Sequence, residues 1–352
     1  MNCDVAIPQS VDEISTAWLQ AALGVTVSRV CLEATDDGTT GRAVITVEYA
    51  EATQLPHRFF VKLPPADRQQ RAFVRATGMG VREARFYREL AADLPVRVPR
   101  CFFSGWDQGG ERYIMLLEYL PDAGCTFRNA STRGSPGYLR QVLAALARLH
   151  GQYWQAPAFS AGMQWVEPIV QHDITRQLLP LALQKHAAAM PPLFVELAEL
   201  YLAEEDAIHE LWRRGEHTLI HGDIHDGNLF YDTLADAPGL LDWALLAKGP
   251  PMRDVGYFLA GTLAPKEQQV GSKQLLDFYR RQLLATGVTA PDLATLQREY
   301  AIQAVYPWLG AVVTLAMGDA WQPSRYIMAS LQRLHETLQL LGSLDAIKAE
   351  LG

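Results

Sequence analysis

The stretch Leu219-Ile-His-Gly-Asp-Ile-His-Asp-Gly-Asn-Leu-Phe-Tyr231 sets a cluster of polar residues between two short apolar runs, and Gly239-Leu-Leu-Asp-Trp243 follows one hairpin later. Buried strands ending at Asp223, Asn228 and Asp242 would converge on one point. Phosphoryl transfer needs such a point: a carboxylate to orient an attacking hydroxyl or accept its proton, and oxygen ligands for the magnesium that neutralises the phosphates. The same stretch reads a second way. His221, Asp223, His225 and Asp226 form a dense H-x-D-x-H-D run, and His, Asp and His are ligand types of zinc and iron hydrolases. The remaining histidines, among them His150, His172 and His217, show no second motif that would complete such a metal centre.

Two charged residues upstream fit the first reading. Lys62, in Phe-Phe-Val-Lys-Leu, is a lone cation in an apolar strand, where an unpaired charge would cost several kcal/mol, so it needs a partner. Glu83 answers that need, because Glu83, Phe86, Tyr87 and Leu90 recur at i, i+3, i+4 and i+7 and place the carboxylate on the apolar stripe of a helix. A kinase needs this pair, a strand lysine for the nucleotide phosphates and a helical glutamate to hold it. The turn Gly38-Thr-Thr-Gly41 could cover phosphates through its backbone N–H groups, although two glycines also suit a plain hairpin turn.

The elements that must carry these residues are legible as follows. Ser10-x-x-Glu13 is a capping-box pattern and predicts a leading helix over 10–23, with Ile14, Trp18 and Ala21 on one face. Ala43, Ile45, Val47 and Tyr49 alternate as one face of a strand, Arg58 to Leu63 is a second β-rich run, and Tyr113 to Leu120 a third. Pro121-Asp-Ala-Gly124 reads as a linker. Beyond it, Tyr138, Val142, Ala145, Leu146, Leu149 and Tyr153 make a helix face, and helical patterns recur near 192–213, 266–285 and 292–341. Pro168, Pro180, Pro191 and Pro192 predict irregular connections between 160 and 195. The expectation is an α+β chain, with a small sheet domain over 1–120 and a larger, mainly helical one over 121–352.

Asp223 and Asn228 are spaced as H-x-D-x-x-x-x-N, with Asp242 following in Leu-Leu-Asp-Trp. On these residues, over roughly 30–265, the chain resembles the aminoglycoside phosphotransferase and choline kinase superfamily. His-Gly-Asp and the closing Asp-Trp are more similar to that superfamily than to the protein kinases. Val81-Arg-Glu-Ala-Arg-Phe-Tyr and Leu149-His150 with Trp154 resemble its ecdysteroid-kinase-like branch. The resemblance implies a two-lobed protein-kinase-like fold, ATP and Mg2+ as cofactors, and a small-molecule hydroxyl as acceptor. It implies Asp223 as catalytic base, Asn228 and Asp242 as magnesium ligands, and His221 as a structural support of the loop. It also implies a hinge whose backbone near Glu118 and Leu120 binds adenine. Asp254, in Gly249-Pro-Pro-Met-Arg-Asp254, matches a helix-starting aspartate, expected as an N-cap and scaffold. A kinase-shaped protein that binds nucleotide without catalysis is a third reading, set against the presence of base, metal ligands, lysine and glutamate together.

Composition bounds the partners. The 352 residues are 49% hydrophobic and 20% charged, which suits a globular chain of about two domains. Lysine plus arginine total 31 against 39 acids, a net charge of −8 that argues against nucleic acid as the main partner. Cys3, Cys31, Cys101 and Cys125 form no CxxC pair and suit a reducing compartment, and the acidic start does not read as a signal peptide, so a cytoplasmic location is expected. Tyr300 to Gly318 carries no charge over 19 residues, but Gln303, Pro307, Gly310 and Thr314 interrupt it, and it reads as a buried helix. No strongly acidic run over 266–352 would receive a polycationic sugar. The candidate acceptor-lining residues Trp154, Trp165, Tyr306, Trp308 and Trp321 favour a less polar alcohol.

Overall fold

Ala43, Ile45 and Val47 do fall on one buried strand face, and a five-stranded sheet is built around them in the computed structural model, which describes residues 5–127, 135–169, 173–318 and 324–352. Helix α1 (Thr16–Leu23) precedes β1 (Val27–Asp37), β2 (Gly41–Tyr49) and β3 (Arg58–Leu63). Helices α2 (Arg68–Thr77) and α3 (Met79–Glu89) follow, then β4 (Cys101–Trp106) and β5 (Tyr113–Glu118). The strand order is β1-β2-β3-β5-β4, antiparallel throughout. Ile45, Val47, Phe59, Val61, Ile114 and Leu116 form its core, sealed by Leu19 of α1 and Phe103 of β4. The leading helix starts later than its capping box suggests. Ser10 heads only a 3-10 turn and makes no side-chain cap, whereas the Ser15 hydroxyl accepts the Trp18 N–H at 3.1 Å and caps α1.

The chain then forms a short strand β6 (Cys125–Phe127), the helices α4 (Pro136–Gln152), α5 (Asp173–His186), α6 (Pro192–Ala203) and α7 (Glu205–Arg213), and strand β7 (Thr218–Ile220). Strands β8 (Leu229–Asp232), β9 (Ala237–Leu240) and β10 (Ala247–Gly249) come next, followed by α8 (Met252–Thr262), α9 (Gln268–Ala285), α10 (Leu293–Gln303), α11 (Tyr306–Met317), α12 (Ser324–Leu341) and α13 (Ser343–Leu351). These elements belong to two compact units, Met1–Phe127 with Phe230–Leu245, and Arg128–Leu229 with Leu246–Gly352. The division is thus not a single cut after residue 120, because the hairpin that ends at Asp242 belongs to the sheet-bearing unit. Arg97 holds it there, donating to Asp232 at 2.9 Å and to Glu118 at 2.8 Å.

In the helical unit the α4 face is buried as its spacing predicts, with Tyr138, Val142, Ala145, Leu146 and Leu149 all inside. Two expectations are corrected. Pro180 lies inside α5, where the loss of one backbone hydrogen bond is tolerated because Leu179 and Ala182 are fully buried, and Pro192 starts α6 at a position proline favours. The uncharged run after Tyr300 is two helices, since α10 ends at Gln303 and Pro307 opens the first turn of α11. Leu293–Met317 has the length and mean hydropathy, 1.3, to cross a membrane, but 67% of its most apolar window is buried within the fold, as a core helix would be.

Candidate active site

In the sheet-bearing unit the site is built on β3 and α3. The Lys62 side chain is 4% exposed and its Nζ lies 2.5 Å from Glu83 Oε2 and 3.2 Å from Asp242 Oδ1. Burial alone would push the ammonium down, but Asp242 and then Glu83 outweigh it and hold Lys62 above the ordinary lysine value. Burial pushes Glu83 up to about 7 against the pull of Lys62. The second oxygen of Glu83 accepts the Trp243 N–H at 3.3 Å, and Phe86, one turn along α3, stacks on the Trp243 ring at 4.2 Å. One face of α3 therefore holds the lysine and the strand end that carries Asp242. Asp242 itself has φ 63, in the left-handed region that few non-glycine residues adopt.

Gly38 and Gly41 bracket the β1–β2 turn. At Gly41 a Cβ would lie 2.7 Å from the Pro64 carbonyl oxygen, so close packing of β2 on the chain after β3 requires glycine there. Leu120 is buried and opens a 3-10 turn over Leu120–Ala123 in place of an open linker. At Glu118 the backbone N–H is donated to the Arg100 carbonyl at 2.8 Å, and the carboxylate receives Arg97 and the Arg100 N–H.

In the helical unit, β7 delivers the loop that begins at His221. Gly222, at φ 85, turns the chain, and Asp254 grips it, accepting the His221 N–H and the Gly222 N–H at 2.8 Å each. Asp254 is a scaffold but not an N-cap, a place Pro251 takes, so its carboxylate is free of its own helix end. His150 of α4 approaches the same carboxylate at 3.2 Å and meets the Tyr279 hydroxyl at 2.8 Å, so α4, α8 and α9 meet beneath the loop.

The Asp223 side chain is 27% exposed. Asn228 Nδ2 donates to its Oδ2 and to its backbone carbonyl, both at 2.9 Å. His225 Nε2 lies 3.6 Å away, and the Tyr257 hydroxyl, from the second turn of α8, also bonds to it. Burial alone would raise Asp223, yet His225, His221 and Tyr257 outweigh it and hold the carboxyl below its usual value. His221 accepts the Asp223 N–H at 3.3 Å, as a loop support does. Around Tyr257 lie Tyr306, 6.1 Å between ring centroids, and the buried Arg253, whose guanidinium stands 3.7 Å over the Tyr306 ring.

Asn228 spends its amide nitrogen on Asp223, which leaves the amide oxygen as a donor, and Asp242 offers a carboxylate already flanked by cations. Each, taken by itself, is a hard oxygen of the kind magnesium takes. Among the described residues no group of three or more His, Cys, Asp or Glu could hold a metal, which leaves the metallohydrolase reading without support. Of the expected acceptor-lining residues, Trp308 is wholly buried in the core against Phe194, Trp154 and Trp165 are half-buried, and Tyr306 lies against Tyr257. Trp321 and His172 lie outside the described residues. Sequence reasoning missed Tyr257 and Arg42, whose Nη2 lies 4.0 Å from Asp242. The helical spacing of Asp254 and Tyr257 was the available signal for the first, and the β2–β3 register for the second.

The phosphotransferase enzyme family matches residues 52–292. No curated protein matches the chain in sequence. Among solved structures, the GDP complex of wild-type aminoglycoside 2'-phosphotransferase-IIIa is 14% identical, with 94% of this chain and 95% of that one covered at a TM-score of 0.52. A macrolide 2'-phosphotransferase type I is 17% identical over 94% and 98%, with a TM-score of 0.50. At these identities the likeness establishes the fold, which is α+β and kinase-like.

Proposed function

The chain belongs to the phosphotransferase enzyme family, and from that premise we propose that it is a small-molecule kinase that moves the γ-phosphate of ATP to a hydroxyl of a metabolite or antibiotic-like alcohol. The observation that carries this reading is Asp223, an ionised carboxylate with one side open to solvent and its orientation held by Asn228 and Tyr257. In the proposed reaction Asp223 orients the acceptor hydroxyl and takes its proton while oxygen bonds to the γ-phosphorus. The bond from that phosphorus to the bridging oxygen breaks, leaving ADP and a phosphomonoester. Lys62, held by Glu83, directs its charge at the nucleotide phosphates. Asn228 through its amide oxygen and Asp242 through its carboxylate would hold magnesium, which when bound neutralises charge on the transferring phosphate. The Gly38–Gly41 turn and the backbone at Leu120 are proposed to cover the phosphates and meet the base.

The surroundings of Asp223 support a neutral, partly apolar alcohol. His225, Tyr257 and Tyr306 flank it, with Arg253 behind, and a cation such as Arg253 disfavours a polyamine acceptor. The free thiols of Cys31, Cys101 and Cys125 support a cytoplasmic setting. The GDP held by one structural neighbour makes GTP the donor to compare with ATP. The test is nucleotide consumption over a panel of alcohols, with wild-type protein and Asp223→Asn. Turnover should fall about 10³-fold in the variant, while binding of magnesium nucleotide, followed by calorimetry, stays unchanged. Equal turnover by the two proteins would remove Asp223 from the role of base.

A further inference from the structure

Arg42 and Lys62 are register partners across β2 and β3, so their side chains leave the same face of the sheet side by side. Like charges directly opposite one another repel, and the repulsion is poorly screened here, since the Lys62 side chain is 4% exposed and that of Arg42 35%. Two carboxylates meet the pair. Glu83 is turned to Lys62 and the Trp243 N–H, whereas Asp242 is shared, with Oδ1 3.2 Å from Lys62 and Oδ2 4.0 Å from Arg42. Asp36, opposite Arg42 on β1, lies 3.7 Å from it, but its side chain is 75% exposed and such a surface pair holds weakly. A third observation fixes where the guanidinium sits: a Cβ built on Gly38 would lie 3.1 Å from Arg42 Nη2. The head of Arg42 is therefore packed between the β1–β2 turn and the Asp242 carboxylate.

When Asp242 turns to a divalent ion, Lys62 keeps Glu83 at 2.5 Å, whereas Arg42 keeps the exposed Asp36 at 3.7 Å. Once Asp242 is committed elsewhere, the Arg42 guanidinium, set beside a second cation and held by a weak surface pair with Asp36, is available to a polyanion between the turn and β3. We propose that Arg42 is a second phosphate-binding cation of the nucleotide site, exchanging its long contact with Asp242 for two phosphate oxygens in the planar, paired geometry that guanidinium groups favour. This assignment rests on the kinase reading above, which itself needs only Lys62 for the phosphates.

The experiment is calorimetric titration of wild-type protein, Arg42→Met and Arg42→Lys with ATP plus magnesium, GTP plus magnesium, and adenosine, beside a melting curve of each ligand-free protein. Arg42→Met should weaken the magnesium nucleotide about 10- to 100-fold, the effect of losing a charge-assisted pair of bonds, with adenosine affinity and melting temperature held. Arg42→Lys should recover part of the loss, because it restores charge without the fork. Asp36→Asn should leave nucleotide affinity unchanged. Wild-type affinity for magnesium nucleotide in Arg42→Met would overturn the proposal, and so would an equal loss of adenosine binding, which would mean that Arg42 merely supports the sheet. Wild-type protein that binds neither magnesium nucleotide would instead overturn the kinase reading, and this assignment with it.

Discussion

Asp223 stays ionised although partly buried because three neighbours each contribute to its charge: His225 at 3.6 Å, His221 behind the loop, and the Tyr257 hydroxyl. Tyr257 is the informative one, since it donates to the carboxylate through a single hydroxyl. Tyr257→Phe keeps the ring and removes the hydroxyl. It should lower turnover roughly 3- to 30-fold, the effect of one hydrogen bond to a charged group, with nucleotide affinity unchanged. In the Asp223→Asn background the same substitution should change nothing further, because residues that act as a unit are not additive; an additive loss would show that Tyr257 works independently of the base. The sequence made Lys62 and Glu83 legible as a pair, because each is a charge on an apolar face and a buried charge must find an opposite one. Tyr257 and Arg42 were hidden, since a tyrosine on a helix and an arginine on a half-exposed strand satisfy ordinary patterns, and only the contact with Asp223 for the first and the β2–β3 register for the second give them a task.

Helix α8 performs two jobs at its amino end. Its Asp254 carboxylate takes two consecutive backbone N–H groups of the loop, and three residues later, on the same face, Tyr257 reaches the side chain that those N–H groups precede. Asp254→Ala would orphan both donors in a fully buried place and leave His150 facing a void. The expected loss of stability is about 3 to 5 kcal/mol, measured by urea unfolding, and a loss below about 1 kcal/mol would mean that the loop holds itself. Elements with a clean period were readable in advance: α3, α4 and β2 bury the faces their spacing marks. Others were not. Helix α2 is Arg-Gln-Gln-Arg-Ala-Phe-Val-Arg-Ala-Thr, with only Val74 and Thr77 buried, and β4 mixes serine and glycine with a bulge between Cys101 and Phe103. Both are held by neighbours more than by local preference.

Across the helical unit a buried polar chain ties stability to acidity. The His209 Nε2 is 2.7 Å from the Tyr201 hydroxyl, which donates to Glu205, and Glu205 in turn accepts Arg176. Burial, assisted by Arg253, pushes His209 down to about 4. An unfolded histidine titrates near about 6.5, so between these values the unfolded chain binds a proton that the folded one does not. The contribution is therefore complete above about pH 6.5 and is lost as pH falls towards 4. The urea midpoint should drop between pH 7 and pH 5, and His209→Gln should flatten that drop; curves that remain parallel would acquit the histidine. Nothing in the sequence around His209 marks this, because its neutrality comes from Tyr201, Trp212 and Arg253 gathered by three helices.

The hairpin that returns to the sheet-bearing unit also has a bearing on descent. The polypeptide passes between its two units three times, after Phe127, after Leu229 and after Leu245. A recombination event with one crossover in the first passage would inherit Lys62 and Glu83 from one parent and Asp242 from another, and the Arg97 grip on Asp232 would have to be met by a stranger's residue. Helical units of new specificity are thus exchanged intact only by two insertions around a retained segment of sixteen residues, Phe230–Leu245, and diversification by point substitution within the existing helices is the easier genetic route.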